Sequence, residues 1–231
     1  MIPNLPLLVS LVFIATAGIT VWFFYGAARQ SKPVLLVLLG WMALQAGLSL
    51  AGFYLRTDSV PPRLPGLLVP PILFIMGLFL TEKGRQFLDG LLLDRLTLLH
   101  IVRIPVEIVL FWLFLNKSVP QIMTFEGQNF DVLSGLTAPV IHYLGFVKKR
   151  VSRTVLIGWN LICMALLVNI VLTAVLAVPS PFQQIAFGQP NVGILYFPFV
   201  WLPSVVVPLV LLSHLAALRQ LLYSRPSVLA N

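Results

Sequence analysis

The chain has 231 residues, of which 59% are hydrophobic and only 10% charged, with a mean hydropathy of +0.98. A chain of this size cannot fold that much apolar surface away from water, so a soluble globule, a disordered chain and a nucleic-acid binder are excluded despite a formal net charge of +8. Cys163 is the single cysteine, which excludes an internal disulfide framework and a cysteine zinc cluster.

A bilayer core takes about 20 apolar residues as a helix, with a range of about 17 to 25. Windows of that kind lie at residues 5–28, 33–55, 64–80, 98–115, 132–147, 154–178 and 193–218. They predict an all-α integral membrane protein, a seven-transmembrane helix bundle forming one polytopic membrane domain over residues 1–231.

The first window has no basic residue ahead of it and is longer than a signal h-region, so it is expected to stay in the mature chain. On the second, Ala43, Gly47 and Ala51 form a small-residue face predicted to pack against another helix, with Gln45 and Ser49 beside it. The third is short and holds Pro70 and Pro71, which makes it a candidate for a tilted or broken segment. Between the third and fourth, residues 82–95 mix charges with leucines and read either as a surface helix or as an extension of the fourth span.

Residues 119–130 and 179–191 are rich in aromatic, amide and glycine residues. Their Phe125, Phe130, Phe182 and Phe187 predict loops folded back over the outer mouth. On the fifth window Ser134, Ala138, His142 and Gly145 share a side, and the last window carries Pro198, Pro203 and Pro208. The latter two should free the carbonyls of Phe199 and Ser204 and kink the helix.

Of the 15 basic and 7 acidic residues, only Arg103 and Glu107 fall inside the windows. Loops on one side hold 11 of the lysines and arginines, from Arg29 to Arg225. Those on the other hold 3, namely Arg56, Arg63 and Lys117. The positive-inside rule therefore predicts an outer N-terminus and a cytoplasmic C-terminus.

His100, Arg103 and Glu107 stand at i, i+3 and i+7 and make one ionisable stripe on the fourth span. Arg103 and Glu107 are four apart and can pair. A charge at the centre of a spanning helix costs about 2.5 to 3.5 kcal/mol on insertion scales, so the stripe is expected to face the bundle interior. Counted at about 1.5 Å per residue from the basic end, His100, Arg103, His142, Asn160 and His214 lie within about 9 Å of that end, and Glu107 at about 14 Å. Asn160 and Asn169 are nine positions apart on one helix, so only one of them can face a common site.

These residues predict a ligand-binding site of His100, Arg103, Glu107, His142, Asn160 and His214, with Arg103 as an anion anchor and Glu107 as its counter-charge or a proton carrier. The expected function is binding or transport of a small polar or amphiphilic molecule. One rival is a membrane-embedded enzyme for a lipid or isoprenoid substrate, with His100, His142 and His214 as metal ligands or acid/base groups. The other is a structural or assembly protein with no ligand site. No HExxH or similar local spacing supports a metal, so none is assigned, and no cofactor is indicated.

All five lysines lie in loops, so the chain does not fit the rhodopsins. Val210 and Leu218 flank His214 where the seven-span membrane hydrolases place a second histidine. The strings RIPVEIVLFWLF, MTFEGQNFD, PFQQIAFGQPN and FVWLPSVVVPLVLLSHLA resemble a family of uncharacterised bacterial seven-span membrane proteins of about this length. That resemblance implies a multi-pass protein of the bacterial inner (plasma) membrane and supplies no activity.

Overall fold

A computed structural model describes residues 2–57, 59 and 63–223. Among these residues the chain is helical, with no strand. The nine α-helices are α1 (Leu7–Ala27), α2 (Lys32–Leu50), α3 (Pro65–Leu80), α4 (Glu82–Gly90), α5 (Leu93–Leu99), α6 (Arg103–Leu115), α7 (Val132–His142), α8 (Arg153–Ala177) and α9 (Val207–Tyr223).

Five continuous segments are long and apolar enough to cross a membrane: Leu7–Ala27, Lys32–Leu50, Leu93–Leu115, Arg153–Ala177 and Leu202–Tyr223. The α3–α4 pair is bent by 96°, and Val132–Val147 is a shorter apolar helix. Both readings of residues 82–95 are realised in part. Thr81 Oγ1 caps α4 by accepting from Gly84 N, and α4 turns away from α3. A Cβ at Gly84 would overlap the Leu78 backbone, so the bend needs glycine there. α5 then begins the continuous apolar segment Leu93–Leu115.

α5 and α6 are joined by one 3-10 turn, His100–Val102. Pro105 explains it: proline has no N–H to give the carbonyl of Ile101, so the helix tightens just ahead of it. The last span differs from its window. Residues 193–200 form a short 3-10 turn and loop, and the helix that follows opens with a π-turn at Leu202–Val206 and continues through α9. The carbonyls expected to be freed by proline find partners. Ser204 O accepts from Trp41 Nε1 at 2.9 Å and Phe199 O from Leu202 N at 2.9 Å. Arg225 lies outside the described residues.

The small-residue face of α2 is not packed against another helix of this chain. Ala43, Gly47 and Ala51 are exposed, and a Cβ at Gly47 would meet nothing within 4 Å. The helix instead buries Met42, Gln45 and Ser49, which hold polar partners: Tyr54 Oη donates to Gln45 Oε1 at 2.6 Å and Ser49 Oγ to Leu195 O at 2.9 Å. Hydrogen bonds select the inward face of this helix because its faces are equally apolar.

Candidate functional site

The polar stripe turns inward. His100, Arg103 and Glu107 are each no more than 2% exposed, and His214 is fully buried. Arg103 sits where α6, α7, α8 and α9 meet. Its Nη1 donates to Cys163 O at 3.2 Å, its Nη2 lies 3.1 Å from His214 Nε2, and its Nη1 is 3.1 Å from Asp131 Oδ1. The expected pairing with Glu107 is replaced by this ion pair. Asp131 was outside the windows, directly ahead of α7, and is brought in by the close approach of α7 to α6. At Gly135 a Cβ would stand 2.8 Å from Ile104 Cγ1 and 3.4 Å from Arg103 Cβ.

The His214 contacts define its protons. A guanidinium nitrogen only donates, so Nε2 accepts from Arg103 and Nδ1 carries the ring hydrogen. That hydrogen is donated to Asn160 Oδ1 at 2.9 Å, while Asn160 Nδ2 donates to Leu156 O at 2.9 Å. Both ring nitrogens of His214 and both side-chain polar atoms of Asn160 therefore have a consistent role. His100 stacks on His214 with ring centroids 3.9 Å apart and meets the edge of Trp159 at 5.5 Å. Asn169 is exposed and donates to Gln128 O, so Asn160 is the one that faces the site.

His142 does not join. It is half-buried and its ring contact is with Phe146, at 6.0 Å. The three histidines therefore do not converge, and among the described residues no group of histidine, cysteine and carboxylate side chains has metal-holding geometry. The reason lies in the register of this helix: Ser134, Gly135 and Ala138 take the packed positions against the bundle, and His142 stands where α7 passes into the π-turn Tyr143–Val147.

The layer also lies deeper than the windows predict. The apolar segment that carries Arg103 begins at Leu93, five residues ahead of its window, and the one that carries His214 continues at least to Tyr223. Arg103 is then about 15 Å, and His214 at least about 14 Å, from the basic end. Arg95 and Arg219 lie within the helices, with Arg219 forming two 2.8 Å hydrogen bonds to Asp89.

Glu107 is held from the loop side. Asn129 Nδ2 donates to its Oε1 and, at 3.1 Å, to Met123 O, while Asn129 Oδ1 accepts from Asp131 N at 3.1 Å. Asn129 is thus a site residue that sequence reasoning missed, although it lies within the loop expected to fold inward. The loop does fold inward, by its polar residues: Thr124, Asn129 and Asn191 are buried, whereas Phe125, Phe130, Phe182 and Phe187 are exposed. Buried backbone carbonyls need donors, and the amide side chains supply them. Gln189 Nε2 donates to Phe114 O and Val119 O, and Asn191 Nδ2 to Ala174 O.

Glu107 Oε2 has no hydrogen-bond partner among the described residues. Glu107 and Asp131 border a cavity of about 70 Å³ whose other walls are apolar, including Val106, Met123, Leu167 and Pro203. Arg103 is not among its walls. The charged face of the site toward open space is therefore acidic, and the anion anchor expected from sequence is committed to Asp131, His214 and a carbonyl.

Neither the curated proteins nor the solved structures contain a significant match to this chain. The family model described as a domain of unknown function, DUF8737, matches residues 64–222, a stretch that contains every member of the polar cluster and leaves out α1 and α2. On that match the chain belongs to the DUF8737 family.

Proposed function

We propose that this chain is a multi-pass membrane protein that binds, and in moving it transports, a small cationic or amine-bearing molecule at the Glu107 cavity. In this reading α3 and Val132–Val147 complete a seven-span bundle with the N-terminus outside and the C-terminus in the cytoplasm, in a bacterial inner membrane. Each of the two short elements has 16 residues. That corresponds to about 24 Å, enough to cross with local thinning of the bilayer.

The supporting observation is the surplus carboxylate. Arg103 is balanced by Asp131, which leaves Glu107 2% exposed with one oxygen unpartnered beside a cavity. An unpaired carboxylate away from water costs several kcal/mol, so it either carries a proton or meets a cation. The cavity exceeds the roughly 10 to 15 Å³ that one water requires and admits an ammonium group. A cation entering it displaces the proton from Glu107, and the exchange couples ligand movement to proton movement. Asn129 holds the other carboxylate oxygen and keeps it aimed.

Purified protein in detergent tests this with three probes of one size: n-butylammonium, n-butanol and butyrate. The ammonium ion alone should raise the unfolding temperature and release about one proton per ion bound, read with an indicator dye in weak buffer. Glu107→Gln should fold and lose both effects. Equal responses to all three probes, or an unchanged response in Glu107→Gln, would overturn the reading.

A further inference from the structure

A second cavity, of about 420 Å³, lies between α1, α2, α3, α4 and α9, away from the polar cluster. Its size is that of a site for a substantial ligand, which spans about 300 to 1,000 Å³. Its walls are apolar, among them Phe24, Leu38, Pro71, Phe87, Val205 and Leu209. The two polar groups that border it satisfy each other, because Trp41 Nε1 donates to Ser204 O. The cavity therefore offers nothing to a polar ligand.

It opens sideways. Val37 on α2 and Phe74 on α3 are each 59% exposed and border it, and α2 buries just three of its residues. The opening lies between α2 and α3, where the surroundings in the membrane reading are acyl chains.

One end is basic. Leu92 N donates to Ala27 O at 2.9 Å and Arg29 Nε to Gly90 O at 2.9 Å, which ties the α1–α2 turn to the end of α4. Lys32 precedes Pro33, which lines the cavity, and Lys83 lies one helical turn from Phe87, which also lines it. Both lysines are exposed, and among the described residues neither has an ion pair or hydrogen bond. Of the carboxylates on α4, Asp89 is taken by Arg219, and Glu82 is the other. α4 itself is anchored, since Gln220 Nε2 donates to Leu88 O and Leu91 O. In the membrane-spanning reading it forms a floor on the headgroup side of the groove.

We infer that this groove is a binding site for an anionic phospholipid, with one acyl chain between α2 and α3 and the phosphate against Lys32 and Lys83. The inference rests on the membrane-spanning reading above and not on the Glu107 cavity. Cations beside an anionic headgroup supply selectivity, and the dry groove supplies the chain's contacts.

The test is native mass spectrometry of delipidated full-length protein with dioleoyl phosphatidylglycerol or dioleoyl phosphatidylcholine added. One phosphatidylglycerol per chain should be retained in preference to phosphatidylcholine. Lys32→Gln and Lys83→Gln should each reduce that preference about fivefold and leave phosphatidylcholine retention unchanged. Val37→Trp fills the groove with both lysines in place and should lower retention of both lipids. Glu107→Gln should retain lipid as the parent does, which separates this site from the cation site. Equal retention of the two lipids, unchanged retention in Val37→Trp, or a lipid-free dimer joined at this face would each overturn the inference.

Discussion

α2 and α9 are neighbours of similar apolarity, and the bundle treats them in opposite ways. α9 buries 11 of its 17 residues, while α2 buries 3 of its 19. Packing holds α9. Three donors stitch α2 to the last span and the loop ahead of it: Trp41 to Ser204 O, Trp201 to Met42 O and Ser49 to Leu195 O. In a chain this apolar, hydrophobicity does not say which helix is central, since lipid satisfies an apolar side chain as well as a neighbour does. Polar residues do say it. Ser213, His214 and Gln220 lie on the buried face of α9, and Gln45 and Ser49 on that of α2.

The contrast breaks first at its centre. Arg103→Ala leaves Asp131 and His214 without their partner and should cost about 3 to 5 kcal/mol, read by denaturant unfolding in detergent. Replacing Arg103 and Asp131 together with leucine should recover most of that loss, because no lone charge remains. A double variant no better than the single one would show that Arg103 acts through something other than this pair.

Next in size is the seam beside it. Gly135→Val drives a branched side chain into the side chain and backbone nitrogen of Ile104, for a cost of about 1 to 3 kcal/mol. The same readout should show a lowered midpoint with an unchanged slope.

Smaller still is the stitching of α2. Trp41→Phe keeps the ring and removes the donor to Ser204 O, a loss of about 0.6 kcal/mol if it matches typical interhelical hydrogen bonds. The effect should be local: faster amide exchange in α2 with α9 unchanged. Smallest of all, Gly47→Ala adds a methyl group where nothing lies within 4 Å. Unfolding should be unchanged or delayed by up to about 1 kcal/mol, from helix propensity alone. A clear destabilisation would mean that the small-residue face is an interface after all.

Much of the site was legible because ionisable groups in an apolar chain have few places to go. The inward stripe of His100, Arg103 and Glu107 and the rule that only one of Asn160 and Asn169 can face it follow from spacing on a helix. What failed was the use of charges as helix ends. Arg95 and Arg219 lie inside helices, since long basic side chains reach past the apolar boundary, and the polar layer is deeper for that reason. Asp131 and Asn129 were missed because they sit in loop sequence, where hydropathy carries no signal of burial. The aromatic residues of that loop misled in the opposite direction. Amides have backbone carbonyls to satisfy inside, and phenylalanines have none.

The sequence alone determined that this chain is helical, apolar over span lengths, and burdened with a few charges that must face inward, because each of these follows from local composition and helical period. The tertiary structure alone decided who meets whom: Arg103 with Asp131, Glu107 with Asn129, His142 with neither. Those pairings depend on how closely α7 approaches α6 and on how a loop folds back. Both are set by packing between segments far apart in the chain, which no local pattern records.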